Sequence, residues 1–112
     1  MTTKLFTYGL LQVPRIQQQL FKRNIEQTTG ILFGYKISNT LVNGLYKTIE
    51  KTNPEFFIEG TILFLNDEDI AKCDKFEGVE AGLYKRIDVE GEMQAYIADN
   101  RAYRELEAEE IE

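Results

Sequence analysis

The segment Asp74-Lys75-Phe76-Glu77-Gly78 holds the first candidate for chemistry. The spacing predicts Glu77 in the last turn of a short helix, against the negative end of the helix dipole, with Asp74 and Glu80 close by in sequence. Each influence disfavours a charge and raises the carboxyl pKa, as a general base near neutral pH requires. The plainer alternative is an exposed glutamate before a C-capping glycine. Tyr8-Gly9-Leu10-Leu11 is the second candidate. A strand ending at glycine shortly before a helix leaves main-chain N–H groups that can hold a carboxylate or another anion. The alternative there is a tight strand-to-helix turn. Cys73 falls on the apolar stripe of its helix and reads as core packing. Tyr8, Tyr35, Tyr46, Tyr84, Tyr96 and Tyr103 read as half-buried packing groups, one or two of which would line a pocket.

Much other chemistry is excluded. The 112 residues contain no His, so histidine metal sites, Ser-His triads and Cys-His dyads are ruled out. A single Cys allows neither an internal disulfide nor a cysteine zinc cluster. Acid–base work falls to Asp, Glu, Lys, Tyr, Cys73 or the backbone. Of the net charge of -6, five negative charges come from Glu105 to Glu112, a stretch with no basic residue, leaving -1 on residues 1–104. A near-neutral body with an acidic tail argues against nucleic acid as a partner. The tail reads as a solvated helix end or frayed terminus, with an interaction tail as the alternative. No apolar run is long enough to cross a bilayer and no signal-peptide core follows Met1, so no membrane partner and a cytoplasmic location are expected. A monomer is expected for so small a near-neutral domain.

These residues must be positioned by one domain spanning 1–112, since no repeat, linker or low-complexity tract divides the chain. Lys4–Tyr8 predicts an interior strand and Leu10–Val13 a loop. Pro14 opens a helix through Arg23, with Ile16, Leu20 and Phe21 inward and Gln17, Gln18 and Gln19 outward. Gly30–Ile37 reads as a strand interrupted by glycine, Leu41–Ile49 as another weakened at Asn43-Gly44, and Glu50–Pro54 as a polar connection. Glu55–Leu65 is the strongest strand, with a bulge or a close backbone approach at Gly60. Asn66 caps a helix whose buried face is Ile70, Cys73 and Phe76, and which Gly78 stops. Leu83–Val89 and Met93–Ala98 form a hairpin through Glu90-Gly91-Glu92. A final helix starts at Asp99 or Asn100 and runs through Tyr103 and Leu106. Consecutive strands without helical crossovers define an α+β fold with a mixed, mostly antiparallel sheet, curled into a small barrel with a few short helices.

The motifs, taken in order, resemble those of the gamma-glutamylcyclotransferase-like family. Leu5-Phe6-Thr7-Tyr8-Gly9-Leu10-Leu11 is similar to its opening segment, in which an aromatic strand ends at Tyr-Gly. Phe57-Ile58-Glu59-Gly60-Thr61-Ile62-Leu63-Phe64 resembles a later strand, and Asp74-Lys75-Phe76-Glu77-Gly78-Val79 followed by Tyr84-Lys85-Arg86-Ile87 a third block. Gly34-Tyr35 is also family-like. The blocks span roughly Lys4 to Ala98.

The resemblance implies a small barrel-like fold with a cavity at one end. It implies cyclisation of a gamma-glutamyl amide or peptide to 5-oxoproline with release of an amine. Glu77 would be the catalytic acid/base, and Tyr8, Gly9, Leu10 and Leu11 would cradle the glutamyl end. A small-molecule gamma-glutamyl substrate, no metal and no cofactor follow. Two departures stand out. Leu10 replaces a Ser or Thr usual in the family, removing any hydroxyl contact from that position, and Gln12-Val13-Pro14 replaces an arginine-bearing step. The alternative they favour is a catalytically inactive module that binds a small molecule or protein on the same fold. A larger gamma-glutamyl substrate, with a leaving group needing an open channel, is a third reading.

Overall fold

Five strands build the main sheet in the order β2-β5-β1-β7-β6. The computed structural model describes residues 1–42 and 44–99. The strands are β1 (Thr3–Thr7), β2 (Gln27–Phe33), β5 (Phe57–Leu65), β6 (Tyr84–Val89) and β7 (Met93–Ala98), and β3 (Tyr35–Ile37) pairs with β4 (Ile49–Lys51) in a separate ribbon. All pairs are antiparallel except β1 with β7. The α+β expectation and the mostly antiparallel, mixed sheet are borne out, and β1 is the central strand. The curl is not closed by a ladder: β2 and β6 are the edges of the main sheet. Instead the ribbon leans across one face, β3 against β5 and β4 against β7.

Alternation along β1 divides the core. Leu5 packs with Leu63, Leu65, Ile70, Cys73, Tyr96 and Ala98 beneath the helices. Phe6 packs with Leu32, Ile49, Ile58, Met93 and Ala95 on the ribbon side. Helix α1 (Pro14–Phe21) and helix α2 (Asp67–Phe76) pack together.

The turn after β1 is a single 3-10 turn, Leu10–Gln12, where the sequence predicts a loop. Gln17, expected outward, is buried, because its amide donates to the Leu11 carbonyl at 2.7 Å and exchanges hydrogen bonds with Gln27. A buried polar side chain is tolerated where each of its groups is paired. The strand expected over Leu41–Ile49 is also replaced. Val42 and Tyr46 bridge, Gly44 takes a positive φ, and only Ile49–Lys51 is extended. A turn at Gly44, whose N–H donates to the Leu41 carbonyl, takes the place of the strand. The close approach expected at Gly60 is present: a Cβ there would meet the Thr7 carbonyl oxygen at 2.4 Å and Phe6 Cζ at 2.8 Å. The ladder through Gly60 runs without a bulge.

Helix α2 sets the position of Glu77. Strand β5 ends opposite the start of β1, with Thr3 paired to Leu65. The helix therefore begins at the far end of the sheet and runs back some 15 Å, about 1.5 Å per residue, toward the end where β1 stops. Its start is fixed by a capping box in which Asn66 and Asp69 exchange side-chain and main-chain hydrogen bonds. Its stop is Gly78, at φ 69°. Ile70 and Cys73 are buried as expected, but Phe76 is 41% exposed. Steps of three residues drift by about 60° each, so Phe76 stands about 120° round the helix from Ile70. The final helix expected from Asp99 or Asn100 lies outside the described residues, as does the acidic tail 105–112.

Candidate active site

A cavity of about 650 Å³ opens where β1 and β7 end and β6 begins. Its wall is assembled from four places. The end of β1 and the following turn supply Tyr8, Gly9, Leu10 and Gln12, and the end of α2 supplies Phe76 and Glu77. The paired strands β6 and β7 supply Tyr84 and Tyr96, and the tight turn before β4 supplies Leu45, Tyr46 and Lys47. A shallower depression of about 390 Å³ lies at the opposite end of the sheet, around Thr3, Asp88 and Gln94, away from these groups.

Glu77 is half-buried, and burial pushes its carboxyl up to about 7. The direction matches the sequence expectation, but the cause differs. Asp74 is turned away, accepting from Arg86 Nη1 at 3.0 Å and from the Tyr96 hydroxyl at 2.6 Å, and Glu80 is exposed. Desolvation, not carboxylate repulsion, disfavours the charge. The Glu77 carboxylate has no hydrogen-bond or ion-pair partner among the described residues. Its main-chain N–H is used by α2, donating to the Cys73 carbonyl at 2.8 Å.

Cys73 is fully buried and its thiol is pushed up to about 12, chiefly by that burial. It packs in the core, as its place on the helix indicated, and a thiol so far from ionisation is a poor nucleophile.

The Tyr8-Gly9-Leu10-Leu11 segment divides. Tyr8, Gly9 and Leu10 line the cavity. Leu11 does not: its side chain is 1% exposed and sits in the core beneath the helices. Gly9 and Leu10 accept the first hydrogen bonds of the 3-10 turn, from the N–H groups of Gln12 and Val13. The N–H groups of Leu10 and Leu11 precede the first donor of that turn, Gln12, and have no partner within it. A Cβ on Gly9 would meet nothing within 4 Å, so open space adjoins the backbone here. Gln12 braces the turn, donating weakly to the Gly9 carbonyl and accepting from Thr61 Oγ1 at 3.0 Å.

Four tyrosines, Tyr8, Tyr46, Tyr84 and Tyr96, line the cavity; of these the sequence singled out Tyr8 and left the other three unassigned. Lys47, Tyr46 and Leu45 were also missed, because the turn that presents them reads as a strand. The Asn43-Gly44 pair was the available signal. Among the described residues no three metal-ligating side chains converge. No helix among them is long and apolar enough to cross a membrane.

The α+β domain thus brings a half-buried glutamate and a glycine turn to the wall of one cavity. The chain belongs to the family described as gamma-glutamyl cyclotransferase, AIG2-like, whose model matches residues 5–111. No protein of curated function matches the chain. Among solved structures it is similar to a gamma-glutamyl cyclotransferase, at 16% identity with a TM-score of 0.73, over 88% of this chain and 67% of that one. An uncharacterized protein from Homo sapiens is equally close in shape, with a TM-score of 0.73 at 18% identity, over 88% of this chain and 68% of that one. A protein from Arabidopsis thaliana solved in solution has a TM-score of 0.69 at 18% identity, covering 99% and 78%. At these identities the likeness establishes the fold.

Proposed function

We propose that this protein cyclises a gamma-glutamyl amide or peptide, releasing an amine and 5-oxoproline, with Glu77 as the general acid/base. The observation that carries the reading is the Glu77 carboxyl. It lines the cavity, has no partner among the described residues, and titrates near 7 because it is half-buried. A base with that pKa takes and returns protons at neutral pH.

In this reading the main-chain N–H groups that follow Gly9, that of the cavity-lining Leu10 first, hold the substrate α-carboxylate, beside Gly9 where no side chain intrudes. Leu10 supplies backbone donors whatever its side chain, so replacing a hydroxyl residue leaves that contact intact. Glu77 takes a proton from the α-ammonium. The freed nitrogen attacks the γ-carbonyl carbon, forming the ring C–N bond, and the bond to the leaving nitrogen breaks. Glu77 returns its proton to the departing nitrogen. The second proton shed by the ring nitrogen follows the same route, so the product leaves as an ammonium ion. No outside reactant is consumed. Holding the chain curled for attack supplies proximity, which contributes several kcal/mol.

Release of 5-oxoproline from a panel of gamma-glutamyl dipeptides and amines, run on wild type and Glu77→Gln, tests this. Turnover by wild type alone supports the assignment, and equal turnover by both removes Glu77 from it. Binding without turnover by wild type favours the second reading, an inactive ligand-binding module. The observation behind that reading is Leu10, which sets an apolar side chain at the cavity wall where its relatives usually carry a hydroxyl.

A further inference from the structure

We propose that Lys47, with the apolar collar of Leu45, Tyr46 and Phe76, selects the half of the substrate that departs, and that this half is an amino acid with a large apolar side chain whose carboxylate pairs with Lys47. The inference rests on the cyclotransferase reading above and extends it to the leaving group.

Three observations carry it. Among the described residues that line the cavity, Lys47 is the one cation and Glu77 the one carboxylate. The glutamyl head already has its acid–base partner in Glu77 and its anion donors at the Gly9 turn. Lys47 lies on a different wall and forms no salt bridge among the described residues. The ammonium of an exposed lysine at the cavity rim, on a flexible side chain, is within reach of a second carboxylate on a bound substrate. A gamma-glutamyl amino acid has that second carboxylate, whereas a gamma-glutamyl amine has only one.

The collar is the second observation. Leu45 is 73% exposed and Tyr46 45%, alongside Phe76. Three large apolar side chains gathered at one cavity offer an apolar surface to whatever occupies it. A cavity of about 650 Å³ also holds more than the five-carbon glutamyl head.

The third is that the segment is pinned. The Lys47 carbonyl accepts from the Tyr84 hydroxyl at 2.6 Å. Thr48, fully buried, accepts from the Ala98 N–H at 2.8 Å. The Val42–Tyr46 bridge closes the turn on the other side. Residues 45–47 are therefore presented by a backbone fixed at both ends, which a selective contact needs.

The test compares gamma-glutamyl-phenylalanine with gamma-glutamyl-phenethylamine, which differ only in the carboxylate of the departing half. Wild type is expected to favour the first by about tenfold in kcat/KM. Lys47→Gln is expected to abolish that preference, and Phe76→Ala to lower kcat/KM for both compounds. An unchanged preference in Lys47→Gln overturns the proposal, as does an equal fall for both compounds, which would put Lys47 on the glutamyl head. Absence of 5-oxoproline from both compounds in wild type, together with absence from the wider panel, defeats the cyclotransferase reading instead. In that event calorimetric binding of the same two compounds decides the inference. Tighter binding of the carboxylate-bearing compound, lost in Lys47→Gln, supports it, and equal or absent binding overturns it.

Discussion

The Tyr8 hydroxyl donates to the main-chain carbonyl of Tyr96 at 2.5 Å, across 88 residues of sequence. Tyr96 in turn donates its own hydroxyl to Asp74, on the helix that ends beside Glu77. One residue of β7 thus ties the glycine turn to α2. The two proposed halves of the site, anion donors and acid/base, are held in a common frame by Tyr96.

Removing the middle of this frame should be costly. Asp74→Ala leaves the Tyr96 hydroxyl and the Arg86 guanidinium without their shared acceptor. A loss of about 1–3 kcal/mol of folding stability is expected from denaturant unfolding. Asp74→Asn keeps an acceptor for one of the two donors and is expected to lose less.

Glu77 gives a pH dependence of determined sign. Burial raises its pKa from the ordinary 4.5 to about 7 in the folded chain. Between those values the folded state holds the proton more often than the unfolded state. The associated stability is therefore complete below pH 4.5 and is lost as pH rises toward 7. Glu77→Gln is expected to flatten that decline and to exceed wild type in stability at pH 8 by on the order of 1–3 kcal/mol, read by urea unfolding at pH 4, 6 and 8. Wild-type turnover under the proposed mechanism should rise with pH about a midpoint near 7, and Glu77→Gln should lose at least a hundredfold.

Gly9→Ala probes the room beside the glycine turn. The added methyl meets nothing within 4 Å in the protein, so stability should stay within about 0.5 kcal/mol of wild type. Because Gly9 lines the cavity, KM for a gamma-glutamyl substrate is expected to rise severalfold.

Gly60→Ala should behave in the opposite manner. Its methyl would press on the Thr7 carbonyl oxygen and the Phe6 ring, and neither can yield without moving β1. A destabilisation of about 1–3 kcal/mol is expected from thermal unfolding, with lowered activity because Phe6 and Thr7 line the cavity.

The strands of the main sheet and both helices were legible in the sequence because they carry local signatures: alternation in β6 and β7, Pro14 at a helix start, Asn66 and Asp69 at a capping box, Gly78 at a stop; β4, read as the end of another strand and a polar connection, was not. Glu77, Tyr8, Gly9 and Leu10 were legible as site candidates for the same reason, being short patterns at element ends. What was not legible depends on partners distant in sequence. Gln17 is drawn inward by the Leu11 carbonyl and Gln27. Leu11 faces the core because the turn after Gly9 coils tightly. Burial rather than Asp74 raises Glu77, since Arg86 and Tyr96 engage Asp74 first. Nothing local to residues 45–47 says that they meet Tyr84 and Phe76 across the cavity.

Helix α2 is fixed at both ends, by the Asn66–Asp69 capping box and by Gly78. That makes its length a ruler. Inserting one residue between the two fixed points would turn Glu77 by about 100° and carry it about 1.5 Å along the axis, enough to swing the carboxyl off the cavity wall. The residue count of this helix is therefore tied to the place of the carboxyl at the cavity.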